Sequence, residues 1–412
     1  MARLRTAGRL RIQGPRSLLA SGVGFPPQGV TRAMHQVDPL DLGTLPTMEA
    51  NGLLLHIGVF KTGTTALQSA FWSKRDRLLE LNVLFRGPQS WRYISLMNLY
   101  KRTGRRADGE TVRMWDQLEQ SVHGHQGRAF VSSEGMCSAN DEQAVDLVRR
   151  LAAGRPTKVL ITARSIGELL PSQWQQFLKR GQTTDWENWL HEVLAEPRDT
   201  SLPFWRRFTF PEQVQRWASV VGAENVILVT IDKADPGRAI RVAEHLAGVP
   251  VGTVTLDPTL RSNPSMSYTE AEFLRNVNML LIKDGVEYPQ YRNLVRRGAF
   301  ADVNRVDDAK SNPIPTPQWA VDAACREGMD QAALLSGSPG WIVGDLATLG
   351  RCAPGSADPL EIPAQISIAS ASQAVVGALT SRVDAPTSVG RSSGSSLQRA
   401  MDRLRRVVGS SS

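Results

Sequence analysis

The sequence predicts an α/β protein with three layers, in which a central, mostly parallel sheet is flanked by helices. Four short runs are apolar throughout and do not alternate with polar residues, which is typical of strands buried on both faces. Segments with helical periodicity separate these runs, and strand–helix alternation favours parallel strands with crossover connections. A glycine-bearing loop follows the first run, where α/β proteins often bind phosphate groups.

The predicted elements follow one another in a regular order. The first strand is followed by the loop and then by a helical stretch through Leu67, Ala70 and Phe71. The predicted strands are 53–59, 129–132, 159–163 and 226–231, and the predicted helices are 142–152, 166–179, 185–195, 211–220, 238–247, 268–282 and 317–335.

Composition divides the 412-residue chain into three parts. Residues 1–47 hold six Arg and two acidic residues, and they show no apolar period. They are predicted to be a disordered leader or an over-long start, with Met34 or Met48 as the true first residue, and their Arg-rich, acid-poor character also resembles a transit peptide. Residues 48–350 are predicted to form the folded domain. Residues 351–412 are rich in Ser, Ala and Gly, and they are predicted to be a disordered tail with a short basic helix.

The positive charge of the chain lies in its two ends. The formal net charge is +8, from 48 Lys and Arg against 40 Asp and Glu. Residues 1–47 contribute +4 and residues 351–412 contribute +3, which leaves +1 for residues 48–350. A basic chain often binds nucleic acid or a membrane, but the predicted domain is nearly neutral. We therefore expect no nucleic-acid partner. The basic segment 397–408 either contacts a membrane surface or partner or is a solvated end.

Cysteine content and hydropathy exclude two further classes of protein. Three cysteines, Cys137, Cys325 and Cys352, cannot build a disulfide framework in so long a chain, and no Cys/His spacing indicates structural zinc. No window approaches 18 unbroken apolar residues, so no transmembrane span is predicted. With 41% hydrophobic residues, the chain can bury a large core. We expect a soluble protein of the cytoplasm.

The loop after the first predicted strand has the composition of a phosphate site. Its sequence is Gly58-Val-Phe-Lys61-Thr62-Gly63-Thr64-Thr65. Such a loop exposes successive backbone N–H groups at a helix N-terminus, where anions bind. The two glycines have the interval of the nucleotide-triphosphate loop G-x-x-x-x-G-K-[ST], but Thr64 stands at the lysine position and the lysine of the loop is Lys61. No strand ending in a clear magnesium-binding Asp follows, which weakens a kinase or ATPase interpretation.

The pattern K-T-G-T-T after a strand resembles the 5′-phosphosulfate loop of the P-loop sulfotransferases that use 3′-phosphoadenylyl sulfate. That family also places an Arg after a later strand and a Ser eight residues beyond it, and both bind the 3′-phosphate of the nucleotide. Here Arg164 follows the strand at 159–163, and Ser172 lies eight residues beyond. A guanidinium presents a planar pair of donors to a phosphate dianion. The resemblance covers about residues 50–350 and implies a bacterial-type member with a P-loop-type fold.

The resemblance also implies roles for these residues. Lys61, Thr62, Gly63, Thr64 and Thr65 would bind the 5′-phosphosulfate of the co-substrate, and Arg164 and Ser172 its 3′-phosphate. Lys61 would also stabilise the charge that builds on the bridging oxygen, and no metal is needed. The acceptor would be a hydroxyl or amine of a carbohydrate, glycolipid or other small metabolite. Two alternatives stay open: a P-loop nucleotide-dependent kinase, and a nucleotide-binding protein that has lost catalysis.

Transfer to a hydroxyl also needs a base, and the family uses either a Glu or a His. Glu134 follows the predicted strand at 129–132, and ligands of open α/β sheets bind at the carboxyl ends of strands. Glu134 is therefore the predicted base. It could instead be a structural ion-pair partner of Arg164 or Lys61.

Three histidines are the other candidates for the base. His56 lies inside the first predicted strand, where a packed and hydrogen-bonded core histidine is the expected role. His123 and His125 lie in a Gly-rich, polar turn and are expected to be solvated.

Overall fold

Seven parallel strands form the central sheet in the computed structural model, which describes residues 35–87, 109–256, 265–300, 312–356 and 361–380. The strands are β1 (His35–Val37), β2 (Leu53–Gly58), β3 (Val83–Arg86), β4 (Arg128–Ser132), β5 (Thr157–Ala163), β6 (Val226–Thr230) and β7 (Trp341–Val343). Their spatial order is β1-β7-β6-β5-β2-β4-β3, so β2 lies between β5 and β4. The predicted α/β fold with a parallel sheet is confirmed.

Helices cover both faces of this sheet. In the described part of the chain they are α1 (Thr64–Ser73), α2 (Arg75–Glu80), α3 (Gly109–Gly124), α4 (Asp141–Ala152), α5 (Ile166–Leu178), α6 (Trp186–Val193), α7 (Pro203–Phe208), α8 (Phe210–Val221), α9 (Arg238–Ala247), α10 (Tyr268–Lys283), α11 (Tyr288–Tyr291), α12 (Gln318–Ser336) and α13 (Ile368–Thr380). Short 3₁₀ helices span Glu134–Ser138, Ala223–Asn225 and Leu346–Gly350, and a π-helical segment spans Arg292–Ala299. Helices α1, α2 and α9 contribute to the apolar core on one face, and α4, α5 and α8 to the core on the other.

The burial of the central strands explains why they are apolar throughout. Every residue of β2 and of β5 is buried. Leu53, Leu55 and Ile57 face one core, whereas Leu54 faces the other. Alternate side chains of one strand therefore enter two separate apolar cores, and a pattern of alternating polarity cannot arise.

The predicted strands and helices all form, with ends that move by at most about two residues. Three strands were not predicted, because β1, β3 and β7 have only three or four residues each. Two elements lie in ranges predicted as leader and tail. Strand β1 belongs to residues 1–47, and its Val37 is buried. Helix α13 belongs to residues 351–412, and its Ala374 is buried. The predicted basic helix at 397–408 lies outside the described residues.

A disulfide joins helix α12 to the segment that follows β7. Cys325 on α12 is bonded to Cys352, which lies after β7, and Cys137 is buried with a free thiol. This bond was not predicted, and it is a single cross-link, not a framework. Within the described ranges, no helix is both long and apolar enough to cross a membrane.

The two connections that leave β2 and its neighbour β4 cross opposite faces of the sheet. The connection from β2 to β3 passes through α1 on one face of the sheet, and the connection from β4 to β5 passes through α4 on the other. The loops that leave β2 and β4 therefore diverge above the carboxyl ends of these strands. In open α/β sheets, ligands bind in the crevice at such a point.

Candidate active site

The loop between β2 and α1 has the backbone of an anion-binding turn. Three of its residues have left-handed conformations: φ is +88° at Gly58, +67° at Lys61 and +81° at Gly63. Lys61 has a side chain, so this conformation is uncommon there. Gly63 is the N-cap residue of α1, and it offers no side chain to the amide groups of the first turn. These amides are therefore open to an anion at the start of the helix.

The threonines of the loop differ in what their hydroxyls can do. Thr62 is buried, and its Oγ1 donates to the carbonyl of Val59 at 2.6 Å and lies 2.6 Å from the hydroxyl of Thr162 on β5. Thr64 is also buried, and its Oγ1 donates to Oε2 of Glu134 at 2.5 Å. Thr65 is exposed. Thr62 thus anchors the loop to β5, and any contact that it makes with a phosphate comes from its backbone.

Gly58 allows Glu134 to lie directly against the loop. A Cβ atom at residue 58 would lie 2.9 Å from both Cα and Cβ of Glu134, which is closer than carbon atoms can approach. The requirement for glycine at this position therefore has two causes, the positive φ angle and the contact with Glu134.

We predict that Gly58→Ala destabilises the protein for both reasons. The left-handed backbone costs about 1–3 kcal/mol for a residue with a side chain, and the overlap with Glu134 costs about 1–3 kcal/mol more. Gly154→Ala is the matched control, because Gly154 also has φ +88° but has no atom within 4 Å of the added Cβ. Urea denaturation measures both variants. Equal losses of unfolding free energy would show that the approach of Glu134 to residue 58 is not tight.

Glu134 and Lys61 form an electrostatically coupled pair beside α1. Burial raises the pKa of Glu134, while the hydrogen bond from Thr64 and the positive charges of Lys61, Arg180 and Arg207 act in the opposite direction. Burial lowers the pKa of Lys61, the charge of Glu134 opposes that shift, and the charge of Arg164 adds to it. The pKa of Glu134 is thus raised and that of Lys61 lowered, so the two values lie closer together than in free side chains. Perturbed carboxyl and ammonium groups in one crevice indicate a site of acid–base chemistry.

Arg164 extends from the end of β5 toward the loop. Its guanidinium donates to the carbonyl oxygen of Lys61 at 3.2 Å and to Oε2 of Glu168 at 2.6 Å. Lys233 also pairs with Glu168, with Nζ 2.5 Å from Oε1. Arg164 therefore supports the backbone of the loop.

Ser172 lies on α5, about two turns beyond Arg164. It is half-buried, and its hydroxyl donates to the carbonyl of Leu169 at 2.9 Å. A serine in a helix commonly bonds to a preceding carbonyl in this way. The structure thus brings Lys61, Thr64 and Arg164 together around the loop, while the roles of Arg164 and Ser172 at the 3′-phosphate stay predictions.

His56 has the environment that was expected of it, whereas His123 lies within helix α3 and not in the predicted turn. His56 is fully buried under α1, its Nδ1 lies 2.8 Å from Oγ of Ser132, and burial lowers its pKa to about 3. It is a core histidine and cannot reach an acceptor without rearrangement. His123 is exposed at the end of α3, and His125 is partly exposed in the turn that follows. Among the described residues, no three His, Cys, Asp or Glu side chains group as a metal site requires.

Sequence reasoning missed Phe60 and two arginines, Arg180 and Arg207, whose charges act on Glu134. The guanidinium of Arg207 lies over the ring of Phe60, 5.0 Å from its centroid, and that of Arg180 lies 5.8 Å from the ring centroid of Phe177. Phe60 lies in the loop between Gly58 and Lys61, where an aromatic residue in a polar loop is a signal that the sequence offered. Arg207 is on α7, far along the chain from the loop, so no local pattern connects the two.

No protein-family model matches the chain, and no curated protein matches it. Among solved structures, the chain is similar to a sulfotransferase from Alicyclobacillus acidocaldarius. The two share 16% identity, the match covers 59% of this chain and 100% of that chain, and the TM-score is 0.34. A similarity this weak says nothing about individual residues, so the chemistry of the site rests on its own geometry.

Proposed function

We propose that the protein is a sulfotransferase that moves the sulfuryl group of 3′-phosphoadenylyl sulfate to a hydroxyl or amine of a carbohydrate, glycolipid or other small metabolite. The observation that carries the proposal is the position of Lys61 and Glu134 at the start of α1, where Thr64 donates to Glu134. An anion-binding helix start, a cation for the leaving oxygen and a base for the acceptor are the groups that this transfer needs.

The residues of the loop have distinct roles in this proposal. Backbone amides from Thr62 to Thr65 would bind the 5′-phosphate, and the ammonium of Lys61 would lie against the oxygen that bridges phosphorus and sulfur. Arg164 and Ser172 would bind the 3′-phosphate. Because Arg164 also donates to the Lys61 carbonyl, it would link the two ends of the nucleotide to one loop.

Glu134 would receive the proton that the reaction releases. The acceptor oxygen forms a bond to sulfur while the bond between sulfur and the bridging oxygen breaks, and the acceptor proton moves to the Glu134 carboxylate. The electron pair of the broken bond stays on the phosphate of the 3′,5′-bisphosphate product, where Lys61 stabilises it. Catalysis of this kind depends on positioning and on charge stabilisation.

A transfer assay with two labelled donors tests the proposal. The protein is incubated with a metabolite extract and either ³⁵S-labelled 3′-phosphoadenylyl sulfate or ATP labelled at the γ-phosphate. We expect label to enter metabolites only from the sulfur donor. Transfer from ATP alone would support a kinase, which the P-loop-like segment Gly58–Thr65 also allows. Tight binding of the 3′,5′-bisphosphate without any transfer would support an inactive nucleotide-binding protein.

We predict that Arg164→Ala weakens binding of the 3′-phosphorylated nucleotide by about 2–5 kcal/mol, because a phosphate dianion loses its charged partner. The analogue that lacks the 3′-phosphate should bind almost as well as it binds to the wild type. Calorimetry with both nucleotides gives the comparison. Lys233→Ala is the matched control, because Lys233 pairs with Glu168 as Arg164 does. This variant should leave both affinities nearly unchanged. Equal losses for both nucleotides in Arg164→Ala would show that Arg164 only supports the fold.

A further inference from the structure

Lys61 has a backbone conformation that its neighbours must hold in place. Its φ angle is +67°, in the left-handed region that residues with a side chain seldom adopt. Such a conformation persists only where the surrounding contacts determine it. The loop next to Lys61 is tied to β5 through Thr62, whose hydroxyl lies 2.6 Å from that of Thr162. The carbonyl of Lys61 accepts a hydrogen bond from Arg164, so Arg164 acts directly on the residue whose backbone is unfavourable.

Glu168 holds the guanidinium of Arg164 in place. Oε2 of Glu168 accepts from Nε of Arg164 at 2.6 Å, while Nη1 of Arg164 donates to the carbonyl of Lys61 at 3.2 Å. Because the guanidinium is planar and rigid, the position of one of these contacts constrains the other. Both side chains are half-buried, so solvent screens their ion pair less than it screens an exposed one. A firm connection therefore runs from α5, which carries Glu168, to the backbone of Lys61.

The direction of the Lys61 side chain depends on this backbone. The φ and ψ angles determine where the Cβ atom points, so a left-handed residue directs its side chain differently from a residue in the extended or right-handed region. A change of residue 61 to one of the common conformations would therefore move its ammonium relative to the start of α1. Displacement of a catalytic group by about 1 Å can cost about 10²-fold in rate.

We propose, on the basis of the proposed function, that Glu168 is a positioning residue: through Arg164 it holds Lys61 in its left-handed conformation and thereby directs the ammonium toward the bridging oxygen of the co-substrate. Arg164 then has two functions, because it binds the 3′-phosphate and also supports the backbone of the residue that stabilises the leaving oxygen. Glu168 acts on the reaction only through these two residues.

A double-mutant cycle on sulfuryl transfer tests the link between Glu168 and Lys61. Glu168→Ala should lower kcat roughly 10–100-fold, while the affinity for the 3′,5′-bisphosphate nucleotide, measured by calorimetry, should change little because Arg164 keeps its charge. In a Lys61→Ala protein the same substitution should change kcat less than about twofold, because the effects of residues that act through one another are not additive. A general structural role would lower kcat by the same factor in both proteins.

Asp235→Ala is the matched control for Glu168→Ala. Asp235 also pairs with two cations, both of them arginines, and its side chain is 23% exposed against 27% for Glu168. The control should leave kcat unchanged. If Glu168→Ala does not fold, Glu168→Gln replaces it. Glutamine keeps the shape and an acceptor oxygen but loses the charge, so its effects should be smaller and in the same direction.

Trypsin gives a second measurement that needs no enzymatic activity. Cleavage after Lys61 requires the loop to leave its folded conformation. In Glu168→Ala, the peptide that ends at Lys61 should appear at least about 10-fold faster in mass spectra, which is the effect on loop opening of losing a hydrogen bond between charged groups. Asp235→Ala should be cleaved there at the wild-type rate.

Three results would overturn the inference. They are equal losses of kcat with and without the Lys61 ammonium, a nucleotide affinity that falls as much as kcat, and a wild-type rate of cleavage after Lys61 in Glu168→Ala. A wild-type protein that binds the 3′,5′-bisphosphate but transfers no sulfuryl group counts against the proposed function. Faster cleavage of Glu168→Ala in that case would still support the hold of Glu168 on the backbone of residue 61.

Discussion

Replacing Lys61 with alanine is expected to lower the turnover of sulfuryl transfer by roughly 10²–10³-fold, the usual loss when one charged partner of a transition state is removed. Lys61 is the lysine of the proposed phosphate loop; it is half-buried, and its charge interacts with those of Glu134 and Arg164. The backbone of residue 61 keeps the same left-handed requirement in both proteins, because alanine also has a side-chain carbon. The free energy of unfolding should therefore change little.

The measurement combines steady-state turnover with a urea denaturation curve on the same preparation. Lys74→Ala is the control, because Lys74 is an exposed lysine just beyond the end of α1 and should leave turnover unchanged. A folded Lys61→Ala protein with wild-type turnover would show that the loop is not part of the active site. An unfolded variant would show that the ammonium is needed for structure, and the comparison would then be repeated with Lys61→Met, which preserves the length of the side chain.

Glu134→Gln is expected to lower kcat by roughly 10²–10⁴-fold, which is the usual contribution of a positioned base. Glutamine keeps the shape of the side chain and still offers an oxygen to the hydroxyl of Thr64, so the loop should keep its conformation. Binding of the 3′,5′-bisphosphate nucleotide, measured by calorimetry, should barely change. If turnover survives while binding collapses, Glu134 is a structural ion-pair partner and not the base.

The pH profile of the wild type gives an independent reading of the same residue. A base must be ionised to accept a proton, so kcat falls as the pH falls through its pKa. Because burial raises the pKa of Glu134, this acid limb should lie above the ordinary range of glutamate. The limb should be absent from the residual activity of Glu134→Gln. An unchanged acid limb in that variant would assign the titration to another group.

Burial explains which parts of the fold could be predicted from sequence. Strands β2 and β5 are covered on both faces, so every residue had to be compatible with an apolar core. The resulting apolar runs could be recognised as strands in the sequence. Strand β1 consists of His35, Gln36 and Val37, of which only Val37 is buried. One buried side chain in three residues does not make a pattern. Helix α7 has three buried residues, but its six residues are too few to show a helical period.

The candidate site also has features that the sequence could predict and features that it could not. Lys61, Thr64 and Arg164 were predicted from the K-T-G-T-T loop and the Arg–Ser spacing, which resemble sulfotransferase motifs. Glu134 was predicted because it follows a strand end, but its hydrogen bond with Thr64 and its contact with residue 58 appear only in three dimensions. The positions of the two arginines near Glu134 depend on how helices on one face pack, which local sequence does not encode.

The pairing of β1 with β7 has a consequence for where the polypeptide can be shortened. β1 hydrogen-bonds along β7 in parallel register, from His35 opposite Trp341 to Val37 opposite Val343. A version that begins at Met48 lacks this strand and leaves the apolar residues of β7 as an open edge, which is a template for aggregation. A version that begins at Met34 keeps the protecting strand. Light scattering during size-exclusion chromatography should therefore show self-association of the shorter chain only; two equally monodisperse proteins would mean that β7 is protected by something other than β1.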